Sequence, residues 1–115
     1  MGDSGNIAIK QGGGAVYLYS HWGGYELPSD LQRALNKRWR WDDESYLARI
    51  IFDEMTAMEH GQETGYGIAI YEQDRNYPTI YVDTNTQEVS VGGKSWSFEE
   101  FCNLHLPNSI YGNDE

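Results

Sequence analysis

The stretch SHWGGYELP, from Ser20 to Pro28, brings together residue types that can do chemistry. His21 has a side chain suited to acid–base work, and the rings of Trp22 and Tyr25 could stack on a nucleotide base. Glu26 lies close enough in sequence to assist His21 in acid–base work. The stretch is therefore a candidate site, and cleavage of a nucleotide by His21 is one function that the sequence leaves open.

A second candidate lies in RALNKRWRWDDE, which contains four of the eight basic residues of the chain, and with Arg49 five of the eight fall within the seventeen positions 33–49. Guanidinium groups beside indole rings are typical of sites for phosphate-bearing ligands. A structural alternative stays open, in which cations stabilise the end of one helix, carboxylates stabilise the start of the next, and Trp39 joins the core. The residues predicted to bind a ligand are His21, Trp22, Tyr25, Arg38, Arg40 and Trp41.

Metal ligands and familiar catalytic motifs are not indicated. His21, His60 and His105 are far apart, and His60 with Glu59 and Glu63 falls short of the three or four ligands that zinc needs. The sequence contains no G-x-S-x-G elbow and no phosphate-binding loop. We expect no metal, no cofactor and no catalytic residue, and hence a binding protein that is not an enzyme.

The chain is strongly acidic, since 18 Asp and Glu residues against 8 Lys and Arg give a net charge of -10. Such a charge disfavours binding to duplex nucleic acid and to anionic membranes. The single cysteine, Cys102, cannot form an internal disulfide, and its apolar neighbours predict a buried position. With no leader segment and no apolar run long enough to span a bilayer, the protein is expected to be cytoplasmic.

Alternation and capping patterns predict one α+β domain over residues 1–115, with 1–5 and 106–115 irregular or frayed. Five strands are predicted in a largely antiparallel sheet: NIAIKQ, AVYLYSHW, GIAIYE, PTIYVDT and EVSVGG. A capping box at Ser29 and Gln32 predicts a helix over DLQRALNKRW, the acidic run after Trp41 predicts a second, and Ser97 with Glu100 predicts a short third. The order ββααβββα predicts helices on one face of the sheet.

The two faces of the predicted sheet differ. One face is aliphatic and suits packing under the helices, with Ile7, Ile9, Val16, Leu18, Ile68, Ile70, Ile80, Val82, Val89 and Val91. The other carries Tyr17, Tyr19, Tyr71 and Tyr81. Exposed tyrosines are enriched in interfaces, so this face predicts a homodimer or higher homo-oligomer, although the rings could equally form a solvent-facing ladder across the strands.

The motif HWGGYELP, followed by a helix and by RWDDESYLARIIF, resembles a pattern in small proteins of unknown function from tailed phages of actinobacteria and from related prophage and bacterial genomes. The resemblance covers roughly residues 6–104. It implies a phage accessory protein that works in the cytoplasm of an infected bacterium, and it implies no catalytic residues.

Three functions follow. The first is a non-enzymatic protein that counters host defence by sequestering a nucleotide-like or phosphate-bearing small-molecule signal, as the resemblance suggests by analogy. The alternative is an acidic inhibitor that docks on a basic host protein that handles nucleic acid. The third is a small nucleotide-cleaving enzyme that uses His21.

Overall fold

A six-stranded sheet organises the chain in the computed structural model, which describes residues 2–59 and 61–111. The strands are β1 Gly5–Gln11, β2 Gly14–Ser20, β3 Tyr66–Ala69, β4 Ile80–Asp83, β5 Glu88–Val91 and β6 Lys94–Ser97. Their order is β3-β2-β1-β4-β5-β6, and every neighbouring pair is antiparallel except β1 and β4, which are parallel. The α+β class is confirmed, but five strands and a largely antiparallel sheet are wrong, because the sheet is mixed and has six strands.

The parallel pair arises from the connection between β3 and β4. β3 lies at one edge of the sheet, and the chain passes β2 and β1 before it enters β4. We call residues 70–79, which make this passage, the crossing segment. Alternation of side chains shows which residues share a face of a strand, but it does not show in which direction the strand runs, so the sequence could not reveal the parallel pair.

The sixth strand forms a tight hairpin with β5. Val91 pairs with Lys94, and the two residues between them, Gly92 and Gly93, both have positive φ, at 57° and 85°. Two glycines in this conformation match the right-handed twist of the flanking strands. The sequence pattern ends the last strand at Gly93 because KSWS is short and polar.

The described residues also form three helices and two 3-10 helices. The helices are α1 Leu27–Leu35, α2 Glu44–Met55 and α3 Phe98–Cys102, and the 3-10 helices are Gly24–Glu26 and Pro107–Tyr111. The predicted start of α2 is confirmed, since the Asp43 carboxylate accepts from the Tyr46 N–H at 3.1 Å. The capping box of Ser97 and Glu100 is also confirmed at the start of α3.

The start and end of α1 differ from the prediction. Its first residues are Leu27 and Pro28, so Ser29 lies inside the helix and donates its hydroxyl to Asn108 at 2.9 Å instead of capping. The helix ends at Leu35 and does not reach Trp39, because Arg38 adopts a left-handed conformation with φ of 60° that breaks the helical backbone.

The core lies between the helices and one face of the sheet. Most of the predicted aliphatic face is buried there, and so is Cys102, as predicted. Ile68 and Ile70 do not belong to it, since they are 61% and 82% exposed in and directly after the edge strand β3. Trp39, which the structural alternative assigned to the core, is 58% exposed because α1 stops before it.

The ends of the described chain are ordered by contacts with the domain. The sequence predicts irregular structure over 1–5 and 106–115, yet Gly5 already belongs to β1 and Pro107–Tyr111 forms a 3-10 helix. Ile110 is buried in the core, and the Tyr111 hydroxyl donates to the Gly24 carbonyl at 2.6 Å. Residues 112–115 lie outside the described residues.

Candidate functional site

Two tyrosines stand on either side of a small residue on the side of the sheet opposite the helices. Ala8 of β1 pairs with Tyr17 of β2 and with Tyr81 of β4. Cross-strand partners point to the same face, so both rings flank Ala8, which is fully buried between them. We call the side of the sheet that carries Ala8, Tyr17 and Tyr81 the open face.

The crossing segment covers one end of the open face. The buried side chain of Asn6 donates to the Gln73 carbonyl at 3.1 Å and accepts from the Gln73 N–H at 3.3 Å. Next to it, the Asn76 side-chain oxygen accepts from the N–H and the hydroxyl of Ser4, both at 2.9 Å. The expectation that the whole tyrosine face lies open is therefore wrong at this end, because Asn6 offers a donor and an acceptor to the passing backbone.

The four tyrosines predicted to form an interface are divided by this cover. Tyr17 and Tyr81 come together across Ala8, whereas Tyr19 pairs with Asn6 at the covered end. The Tyr19 hydroxyl lies 2.7 Å from Nδ1 of His21. Tyr71 follows β3 in the crossing segment and is exposed.

A groove of about 610 Å³ occupies the other end of the open face. Its walls come from strands β1, β2, β4 and β5 and from the start of the crossing segment, with Lys10, Gly14, Ala15, Tyr17, Ile70, Tyr81, Asp83, Glu88 and Ser90. Several of its apolar groups remain in contact with water, since Tyr81 is 40% exposed and Ile70 far more so. A concave site with exposed apolar groups and a few charges is typical of a binding site.

The charges in the groove are mostly negative. Asp83 and Glu88 are direct partners across the β4–β5 hairpin, so both carboxylates stand on the open face. Lys10 Nζ lies 3.4 Å from Oδ2 of Asp83. Burial alone would raise the pKa of Asp83, but hydrogen bonds from the backbone of Thr86 and Asn85, together with Lys10, outweigh it and hold the pKa below its usual value. The Asp83 carboxylate is therefore ionised at neutral pH, and the lining residues include two acidic side chains, Asp83 and Glu88, and one basic one, Lys10.

The basic segment after α1 is occupied by contacts within the chain. Both outer nitrogens of Arg38 bond to the Glu99 carboxylate, at 2.6 and 3.0 Å, and these bonds hold the pKa of Glu99 below its usual value. The guanidinium also lies 5.1 Å from the centre of the Trp41 ring. Trp41 in turn donates to the Leu35 carbonyl at 3.0 Å and packs edge-on against Phe98.

Arg40 is held in a similar way. It lies 3.5 Å from the Asp43 carboxylate and 4.3 Å from the centre of the Tyr46 ring, and its φ of 58° is left-handed like that of Arg38. The same pattern extends over residues 2–59 and 61–111, where seven of the eight basic side chains lie within 4.0 Å of a carboxylate. These pairs join Lys10, Arg33, Lys37, Arg38, Arg40, Arg49 and Arg75 to carboxylates of the same chain.

The six residues predicted to bind a ligand fall into two groups. His21 and Trp22 are in edge contact, with ring centres 5.1 Å apart at the end of β2, and Tyr25 follows in the first 3-10 helix. Arg38 and its neighbours follow the opposite end of α1, a helix of nine residues that is about 13 Å long. The structure does not bring the two groups into one site.

A cluster of tyrosines near the start of α1 is not predicted by the sequence. Tyr77 stacks on Tyr111 with ring centres 4.7 Å apart, and Tyr25 lies 6.1 Å from Tyr77. The Asp3 carboxylate accepts from the Tyr25 N–H at 3.0 Å. No local pattern could have shown this cluster, because its members come from a loop and from two 3-10 helices that are far apart in the sequence.

The described part of the chain has neither a cluster of metal-ligating side chains nor a membrane-spanning helix. Within residues 2–59 and 61–111, no three His, Cys, Asp or Glu side chains come together so that they could hold a metal ion. His60, which lies between Glu59 and Gly61 in the sequence, is outside these residues. In the same part of the chain, no helix combines the length and the apolar character needed to cross a bilayer.

Compared with known proteins, the chain matches no family model, no curated protein and no solved structure at a significant level.

Proposed function

We propose that this chain is a non-enzymatic binding protein that docks its acidic surface on a basic protein and thereby inhibits it. The basic partner would be one whose own positive surface handles nucleic acid. The observation that carries the proposal is the pairing of seven of the eight basic side chains with carboxylates of the same chain. The surplus negative charge then lies on exposed residues such as Asp42, Asp74 and Glu88.

Charge of this kind favours a positively charged partner. Long-range attraction speeds the encounter of oppositely charged surfaces and selects against anionic partners, and it weakens as salt screens the charges. The resemblance to small phage proteins makes a bacterial host the natural source of the partner.

The proposal is tested by retaining host proteins on the immobilised full chain and eluting them with increasing salt. The matched control is the triple variant Asp42→Asn, Asp74→Asn, Glu88→Gln, which removes three exposed charges. We expect a basic protein that the parent retains, that salt elutes and that the triple variant retains poorly. Equal retention by both baits, or no salt-sensitive partner, would contradict the proposal.

Sequestration of a nucleotide-like signal remains the second candidate. The position of Arg38 beside the Trp41 ring favours it, since a cation and an aromatic face are both present. Arg38 would have to release Glu99 before it could hold a phosphate, which is the reason that we place this function second. Calorimetry with cyclic and ADP-ribose-type nucleotides tests it, and turnover that is lost in His21→Ala would instead point to the enzyme.

Self-association through the tyrosine face is a competing proposal for the same surface. The positions of Tyr17 and Tyr81 favour self-association, because the two side chains flank Ala8 on the open face and would be available to a second copy. The carboxylates of Asp83 and Glu88 oppose it, since a symmetric contact would bring the same charges of both copies together.

A further inference from the structure

We infer that the groove on the open face is the point at which the basic partner is held, and that its occupant is an extended segment carrying arginine side chains. The inference rests on the proposed function and gives it a place and a ligand chemistry. Three properties of the groove carry it: its charge, its aromatic floor and its size.

Among the described residues that line the groove, Lys10 is the one cation, and it faces two carboxylates. Like charges on directly opposed residues of an antiparallel pair destabilise the sheet, and Asp83 and Glu88 are such a pair. Lys10 lies beside Asp83, on the side away from β5, so it offsets one of the two charges. A guanidinium group placed over the hairpin would offset the other and relieve the repulsion.

The floor of the groove suits the stem and the plane of an arginine. Tyr81 and Tyr17 present aromatic groups, on which a guanidinium stacks better than a lysine ammonium does. Ile70 stands exposed at the rim, where the methylene stem of the arginine would cover it.

The size of the groove suits a short segment. Sites for compact ligands have volumes of about 300–1,000 Å³, and the 610 Å³ of this groove fall within that range. A few residues of an extended chain fit such a volume, whereas a folded domain would contact only its rim. Phosphate-bearing ligands are disfavoured, because Lys10, the one cation among the described residues that line the groove, already faces Asp83.

The test uses the full chain and an acetylated, amidated heptapeptide of alternating glycine and arginine, with a citrulline peptide of the same shape as the uncharged control. At low salt we expect the arginine peptide to bind and the citrulline peptide not to bind. Glu88→Lys should weaken binding about tenfold, and Tyr81→Leu, which keeps the apolar bulk but removes the aromatic face, about threefold.

The matched control is Glu63→Lys, which makes the same charge change on an exposed loop beyond the other end of β3. It should change the affinity less than twofold. Circular dichroism confirms that each variant folds, and amide chemical shifts of the parent should move at Lys10, Tyr81 and Glu88 on titration.

The outcomes separate this inference from the proposed function. If Glu88→Lys and Glu63→Lys weaken the binding of the arginine peptide equally, the acidic surface binds it without a defined groove. In that case the inference fails while the proposed function stands. If the arginine peptide does not bind although a salt-sensitive basic partner is retained, the inference again fails alone. A second copy of the chain in the groove, detected as a dimer that the peptide does not dissociate, would also overturn it.

Discussion

Arg38 and Glu99 form a two-point ion pair that joins the segment after α1 to the first turn of α3. The pair occupies the nitrogens that a phosphate would otherwise use, and it holds the guanidinium over Trp41. A segment whose composition indicates an anion site is thus used to join two helices. This is the main reason that we favour a basic protein partner over a nucleotide.

Glu99→Gln should release Arg38 and create weak affinity for a phosphate-bearing ligand. We expect the parent to show no binding of ADP-ribose tighter than about millimolar, and the variant to bind at least tenfold more tightly, because a charge-assisted contact becomes available. Calorimetry measures both, and Glu63→Gln controls for the loss of one negative charge. Tight binding by the parent itself would restore nucleotide sequestration as the leading function.

Gln87→Gly should stabilise the protein. Gln87 lies in the β4–β5 turn with φ of 55°, a left-handed conformation in which a side chain costs about 1–2 kcal/mol relative to glycine. We expect the free energy of unfolding in urea to rise by about 1 kcal/mol. Asn85→Gly is the matched control, since it lies in the same turn without a positive φ, and it should not stabilise. A loss of stability in Gln87→Gly would show that its side chain contributes more than its backbone strain removes.

Because of Asp30, the free energy of unfolding should fall as the pH rises. Burial raises the pKa of Asp30 from 3.8 to about 7, Glu26 and Glu54 act in the same direction, and Arg33 opposes them. The folded state therefore holds a proton that the unfolded state releases, so this contribution is intact below pH 4, declines up to about pH 7 and is constant above it.

The measurement for Asp30 is the difference between the parent and Asp30→Asn in urea unfolding. Between pH 5 and 8 the parent should lose roughly 1–2 kcal/mol relative to the variant, a value that allows for solvent screening at this half-buried position. The contributions of carboxylates that do not interact with Asp30 are the same in both proteins and cancel in the difference. A difference that does not change with pH would show that Asp30 has an ordinary pKa.

Asn6→Ala should release the crossing segment from the sheet. It removes both partners of the Gln73 backbone at a fully buried position, which should lower the free energy of unfolding by roughly 2 kcal/mol. Hydrogen exchange at the Gln73 amide should become faster. Gln73→Ala keeps both backbone bonds, so it should be milder, and an equal effect of the two substitutions would contradict this role for Asn6.

The mass of the protein in solution separates the two proposals for the tyrosine face. If the groove binds a peptide segment of a partner, light scattering should show a monomer at high micromolar concentration, because the open face is not used for self-association. The sequence-based proposal expects a dimer that Tyr19→Glu with Tyr81→Glu dissociates, because the new charges would be buried in the contact. Circular dichroism must show that the double variant keeps its fold, particularly because Tyr19 contacts His21.

Local signals of the sequence predicted the features that depend on neighbouring residues. The start of α2 and the capping box of α3 follow from side chains that lie within three residues of the groups they bind, as at Asp43 and Ser97. The first hairpin and the burial of Ile7 and Ile9 follow from alternation along one strand. In each case the physical cause acts over a few residues, so it is visible in the sequence.

Tertiary structure decided the features that depend on distant residues. Ser29 resembles a helix cap in sequence but bonds to Asn108, and Arg38 resembles a phosphate ligand but meets Glu99, because each partner is brought near only by the fold. The groove likewise needs the parallel pairing of β1 with β4, which places Tyr81 opposite Tyr17 across Ala8. Side-chain alternation along each strand determines which residue types share a face of the sheet. The contacts that these residues make with other strands depend on strand order, which the periodicity of the sequence does not encode.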